Sequence, residues 1–208
     1  MASSVANTYL KDKSLNLCTH VKYTALILPV VSLRYLFLFG FIGAVTSSKL
    51  NVTAISSHGG RSRFECWQLS TPFSQSSQNG VVGTAAGFLG DVSNMTYNVI
   101  PSGFDGGFHT APVNQWTILL HGLAKITLPD SDSVSVTTGG GEFSLLFVAD
   151  TPSVSKQGHR NTFPGVTETI FLQIPTKNGA IPAHTVLSEN SPCSAGQYAA
   201  LRGLAGRG

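Results

Sequence analysis

Two polar residues held between glycines raise the chemical question in this chain. In GFDGGFHTAPVNQWTILLHG, residues 103–122, His109 lies six positions after Gly103, Gln115 six after His109, and Gly122 seven further on. An imidazole and an amide at such spacing can donate to a metal ion or hydrogen-bond a small polar molecule. A fuller metal site would place a second imidazole and a carboxylate where Ala111 and Gln115 stand. Alanine cannot ligate, and an amide oxygen lacks the charge that helps to hold a divalent cation. The segment therefore reads as a working centre, a weakened one, or a frame without an ion.

The elements that must position these residues read as strands. From about residue 62 the chain alternates short apolar runs with Gly, Ser and Asn turns: FECWQLS, GVVGTAAGFLG, MTYNVIPSG, SDSVSV, EFSLLFVAD and TETIFLQIPT. The longest run with β character is QWTILLHGLAKITL. Trp116, Ile118 and Leu120 take one face and Gln115, Thr117, Leu119 and His121 the other. That puts Trp116 in the core rather than on a ligand platform, while Trp67 and Tyr97 are candidates to line a pocket. No helix is expected in the middle of the chain, so the pattern predicts an all-β sandwich or barrel. No Gly-x-Ser-x-Gly elbow, P-loop or Cys-x-x-Cys pair is present. The GGGEF turn leads into a strand, whereas a phosphate cradle needs a following helix.

Gly103, His109 and Gly122 occupy the required positions of the first cupin motif, G-x5-H-x-H-x3-E-x6-G, with Ala111 in its second His slot and Gln115 in its carboxylate slot. DTPSVSKQGHRNT resembles the second motif of a subgroup of small cupins, with Asp150, Thr151, Lys156, Gly158 and His159 as counterparts and a few residues inserted after Thr151. The chain thus resembles a small, secreted, single-domain cupin of the kind predicted in fungal genomes, over residues 62 to 175. The resemblance implies a cupin-type β-barrel or jelly roll. It also implies a pocket of His109, Gln115 and His159, the same three residues being the metal ligands carried over by position. His121 is a further pocket candidate if the barrel turns it inward. The metal implied is a divalent transition ion (Zn, Cu, Mn or Fe) held weakly; otherwise the two histidines line a pocket without one. Asp150 and Lys156 flank His159 and are candidates for proton transfer, or belong to a solvated hairpin. No residue is assigned a catalytic role.

Address and processing come from the N-terminal part. The chain has 208 residues, and YTALILPVVSLRYLFLFGFIGAVTSS, residues 23–48, is its one strongly apolar segment. Lys11, Lys13 and Lys22 precede the segment, and small residues follow its apolar core, which is the layout of a secretory signal. An uncleaved membrane anchor is the alternative, against which Arg34 weighs, since a mid-membrane guanidinium costs about 2.5–3.5 kcal/mol. A buried core helix is the third. The expected organisation is a signal or anchor over residues 1–48, a cupin domain over 49–193 and a flexible tail over 194–208. The formal charge of +3 resides in the presequence, and the remainder carries nine basic and nine acidic residues. Such a balance offers no footprint for nucleic acid. Cys66 and Cys193 remain as a disulfide candidate for an oxidising compartment, or as two unrelated thiols. Asn51 and Asn94 head N-glycosylation sequons.

The expected function is binding of a small extracellular ligand in the barrel, with or without a metal. A metal-dependent oxygenase or isomerase with an altered ligand set is one alternative, and a cell-wall or surface structural protein is another. The expected partner is a small molecule, a homodimer is admitted, and a membrane enters only if the N-terminal segment is retained.

Overall fold

The computed structural model describes residues 48–198, so the expected signal or anchor segment lies outside the described residues except for Ser48. Thirteen strands are described: β1 (Lys49–His58), β2 (Arg61–Pro72), β3 (Ser74–Gln75), β4 (Ala85–Ala86), β5 (Thr96–Ile100), β6 (Asp105–His109), β7 (Gln115–His121), β8 (Ala124–Leu128), β9 (Ser131–Thr138), β10 (Leu145–Val148), β11 (His159–Thr162), β12 (Thr169–Pro175) and β13 (His184–Glu189). They form a seven-stranded sheet in the order β13-β2-β1-β10-β7-β12-β5, a four-stranded sheet in the order β6-β11-β8-β9, and a small ribbon of β3 and β4. Neighbours in the sheets are antiparallel except β1 and β10, which run parallel.

Strand alternation sorts the apolar residues into two layers. Ile55, Phe64, Leu146 and Val148 of the large sheet pack with Ile126 and Leu128 of the small one, so this core lies between the sheets. Leu119, Ala124 and Phe163 extend it towards Ile100 and Phe171. The opposite face of the large sheet carries Val52, Ala54, Trp67, Leu69, Trp116 and Phe147, with Leu89 laid against them. Trp116 Nε1 donates to the Leu89 carbonyl at 3.1 Å and meets Phe147 edge-on at 4.7 Å between ring centroids. Trp67 packs in this outer layer, where His184 stacks on it at 3.6 Å, and Tyr97 stands exposed on β5. Neither therefore lines a pocket between the sheets.

Several expected elements differ from what forms. GVVGTAAGFLG contributes only Ala85–Ala86 to a strand and is exposed apart from Leu89, because its four glycines break any two-residue alternation. QWTILLHGLAKITL divides into β7 and β8, which belong to different sheets. The break falls at Gly122, whose φ is +85° and where a Cβ would stand 2.5 Å from Thr169 Oγ1. Five strands lie outside the apolar runs read as strands: β1, β3, β6, β11 and β13.

Cys66 and Cys193 form a disulfide across 127 positions. It ties the inner face of β2 to the C-terminal segment, which ends among the described residues in one helical turn, α1 (Ala195–Tyr198). The described C-terminal segment continues past Cys193 to the buried Tyr198. Tyr198 is buried, its hydroxyl donates to Thr53 Oγ1 at 2.8 Å, and the Thr53 N–H donates to it at 3.0 Å. Burial raises the Tyr198 hydroxyl above its ordinary pKa of 10.0. Asn51, expected as a glycan acceptor, is 5% exposed. Its Nδ2 donates to the Gln197 carbonyl at 2.7 Å and its Oδ1 accepts from Gln68 at 3.1 Å. The Asn51 side chain is thus engaged within the fold, whereas Asn94 is exposed. No helix among the described residues is long and apolar enough to cross a membrane.

Candidate functional site

His109 ends β6 and His159 opens β11, and the two are directly opposed in the antiparallel pairing of these strands. Their ring centroids are 4.8 Å apart with the planes tilted by 54°. The approach depends on Gly158, which has φ +74° and sits against the backbone of His109, where a Cβ would fall 1.9 Å from the His109 carbonyl oxygen. On the outer face of the same pair, Arg160 of β11 forms a two-pronged ion pair with Asp105 of β6. The Arg160 guanidinium, and after it the Gly107 N–H, hold the Asp105 carboxyl at about 2, well below its ordinary 3.8.

The two imidazoles are oriented from behind. His159 is 4% exposed, and its Nδ1–H donates to Asp150 Oδ2 at 2.8 Å. Asp150 is completely buried and accepts a second hydrogen bond at the same oxygen, from Ser62 Oγ at 2.7 Å. Ser62 meets Ser155 Oγ at 2.8 Å, and Ser155 Oγ in turn accepts the Gly158 N–H at 3.1 Å. The loop after β10 is thereby fixed to the β1–β2 hairpin, with Lys156 N–H donating to the Gly60 carbonyl at 3.0 Å. His109 is more exposed, and its Nδ1–H donates to the Gly107 carbonyl at 3.0 Å. With Nδ1 engaged on each ring, Nε2 is the ring nitrogen left for a ligand.

Both imidazoles line a cavity of about 70 Å³ between the sheets, which Gln115, Thr117, Asn161 and Gln173 also line. Ala111 and Pro112 form part of its wall, so the position without a donor faces the same space. The structure thus brings His109, Gln115 and His159 to one cavity. It does not bring His121 there. A bulge at Leu120, where Ile170 pairs with His121 but Phe171 pairs with Leu119, ends the alternation on which the inward placement rested. His121 is exposed, with Nε2 3.3 Å from Thr167 Oγ1. Of the two residues flanking His159, Asp150 contacts it, whereas Lys156 is exposed over Gly60.

Sequence reasoning missed Ser62, Ser155, Asn161 and Gln173. The alternation of β11 could have found Asn161, which shares the inward face with His159. Ser62 and Ser155 carry no local signal, because each is defined only by the buried carboxylate it approaches.

A divalent metal fits this donor set poorly. Among the described residues no group of three or more His, Cys, Asp or Glu side chains converges as a ligand set. Two neutral imidazoles and an amide supply no charge, and the nearest carboxylate, Asp150, stands behind His159 on the nitrogen away from the cavity. No protein-family model matches the chain, and no curated protein matches it either.

Proposed function

We propose that the protein binds a small hydroxyl- or amide-bearing molecule in the cavity between its sheets, as a cupin-type domain exported to an oxidising compartment. The observation that carries this reading is the imidazole of His159, buried at the cavity wall and turned by Asp150 so that Nε2 is its remaining polar ring atom. An imidazole held by a buried carboxylate is pre-organised, so little ordering entropy opposes binding at that nitrogen. His109 and Gln115 add further polar groups around the same space. The cupin assignment draws its support from the first-motif spacing, which sets His109 and Gln115 on either side of a turn and both against one cavity with His159. Export draws its support from the presequence pattern and from the Cys66–Cys193 disulfide, since such bonds persist in oxidising compartments.

A ligand screen on the purified full chain, read by thermal stabilisation in the presence of a chelator, tests the binding reading. Stabilisation that persists in chelator and disappears in a His109→Ala, His159→Ala double variant is the expected result. Stabilisation unchanged in that variant would place the ligand elsewhere and end the proposal.

A metal-dependent enzyme is the second reading, and one observation favours it. A carboxylate behind a histidine is the arrangement that commonly fixes the tautomer of metal-binding imidazoles. About one equivalent of a transition metal in the isolated protein, absent from the double variant, would move the function to this reading.

A further inference from the structure

The seven-stranded sheet ends on β13 at one side and on β5 at the other. An edge strand offers unpaired N–H and C=O groups to another chain, and proteins commonly blunt it with a charge, a proline or a bulge. β13 carries a bulge between Val186 and Ser188 and ends on Glu189. β5 reads TYNVI, pairs with β12 in unbroken register and has none of these devices. Its other side meets no strand among the described residues.

Strand alternation makes this edge apolar as well as open. Thr96 and Asn98 pair with Gln173 and Phe171, which face the space between the sheets, so Tyr97 and Val99 fall on the outer face. Tyr97 stands opposite Leu172 and Leu172 opposite Ile118, and an apolar row thus crosses three strands. Leu89 covers the outer layer at Trp116, whereas Tyr97 and Val99 are 61% and 57% exposed. The sequon Asn94-Met95-Thr96 leads directly into this strand. Val92 bridges Thr176 and the Ser93 N–H donates to the Pro175 carbonyl at 2.9 Å, so the chain ahead of β5 follows the same side of β12. Asn94 is exposed there, and even a fully extended chain puts Tyr97 within about 11 Å of it.

We infer that Asn94 carries an N-linked glycan, and that this glycan guards the β5 edge against pairing with a second copy of the chain. The inference rests on the proposed export, since the modification belongs to the secretory route. In the transfer, Asn94 Nδ2 displaces the diphosphate of a lipid-linked oligosaccharide at the anomeric carbon of its first sugar. A C–N bond forms as the C–O bond breaks, the diphosphate leaves with the electron pair, and one amide proton passes to a base of the transferase. The sugar supplies what β5 lacks, a bulky hydrated group beside Tyr97 and Val99. Without it, two β5 strands can pair antiparallel about Asn98. Tyr97 of one copy then stands opposite Val99 of the other, a favourable aromatic and β-branched pair, and no like charges face each other.

The test expresses the full chain in a eukaryotic secretory host, with peptide mass mapping of Asn94 and sedimentation across a range of concentrations. Wild type recovered from the medium should carry a glycan on Asn94 and sediment as a monomer. Asn94→Gln and Thr96→Ala each remove the sequon, and both should shift to dimers or larger species as concentration rises. Adding Val99→Lys to Asn94→Gln puts a charge on the edge and should restore the monomer. Wild type in the medium with Asn94 bare would overturn the inference and leave export standing. Wild type retained in the cytosol, with neither a glycan nor the Cys66–Cys193 bond, would overturn both. Sequon variants that stay monomeric would show that the sugar guards no edge and overturn the inference alone. Association unchanged by Val99→Lys would place the contact away from β5, with the same consequence.

Discussion

His109 and His159 face each other across β6 and β11 because Gly158, one residue before His159, presses against the backbone of His109. The rings meet at 4.8 Å only if that backbone approach is kept. Two glycines separate the steric requirement from the dihedral one. At Gly59 φ is +60° and nothing lies within 4 Å of a Cβ, whereas at Gly158 φ is +74° and a Cβ would overlap the His109 carbonyl. Gly59→Ala should therefore cost only the left-handed penalty, about 1–2 kcal/mol. Gly158→Ala should cost clearly more and should also change the imidazole environments of both histidines. Denaturant titrations of the two variants make the comparison, and equal losses would show that the close approach is not structurally demanding.

The disulfide closes most of the described chain into one loop, from Cys66 on β2 to Cys193 beside α1. In the chain-entropy account a loop of that length stabilises by about 4–5 kcal/mol. A Cys66→Ala, Cys193→Ala variant should lose a stability of that order, with the α1 turn the first part released. Hydrogen exchange at Thr53, whose N–H donates to the Tyr198 hydroxyl, reports that release. Exchange at Thr53 should accelerate beyond the general rise that the lower global stability brings to β10 and β7. Uniform acceleration would mean that the bond supports the whole domain rather than its C-terminal closure.

The parts of the fold that are local were legible in the sequence, and the parts that depend on distant contacts were not. Gln115 and Trp116 fall on opposite faces because strand alternation alone decides it, and Trp116 packs in the outer layer as its position requires. His121 lost its predicted place through one extra residue in β7, a bulge with no sequence signature beyond the run of apolar neighbours. β1 was unreadable as a strand because its inward Asn51 and Thr53 look like surface residues. Their partners, Gln197 and Tyr198, lie 146 and 145 positions away. Asp150 was visible as a candidate beside His159, but its burial and its bond to Ser62 belong to the packing of a hairpin 88 positions upstream.

Arg160 and Asp105 give a pH signature on the exposed side of the histidine strands. The Asp105 carboxyl titrates at about 2 instead of 3.8, held down first by its hydrogen bond to Arg160 and then by the Gly107 N–H. A carboxylate with a depressed folded-state pKa favours the fold above its ordinary pKa and loses that contribution as pH falls through the folded value. The contribution is thus complete above about 4 and fades towards about 2. The stability difference between wild type and Arg160→Gln should accordingly shrink as pH is lowered across that window. In the variant the Asp105 midpoint should rise towards 3.8 without reaching it, since the Gly107 N–H remains. Carboxyl chemical shifts across an acid titration provide the check, and an unmoved midpoint would show that Arg160 is not the dominant partner.

Asp150 separates a structural role from an orienting one. Its Oδ2 accepts from both His159 Nδ1 and Ser62 Oγ, of which His159 is buried and Ser62 half-buried. Asp150→Ala leaves the buried His159 Nδ1–H unpaired, at about 1–3 kcal/mol, while Ser62 keeps Ser155 Oγ as a partner, so the domain should be destabilised mainly at His159. Asp150→Asn keeps an acceptor oxygen, and its loss should be markedly smaller if the amide presents that oxygen to both donors. The orienting role is read separately, from the nitrogen shifts of the His159 ring in the Asn variant. With Asp150 in place, a neutral His159 ring should carry its proton on Nδ1 and leave Nε2 bare. Replacing the carboxylate by an amide should mix the two tautomers and weaken any ligand that uses Nε2, even where the fold is retained. A His159 ring that keeps its Nδ1 proton and its ligand affinity in a folded Asp150→Asn protein would assign the orientation to packing instead. The buried carboxylate would then serve the hairpin and not the cavity.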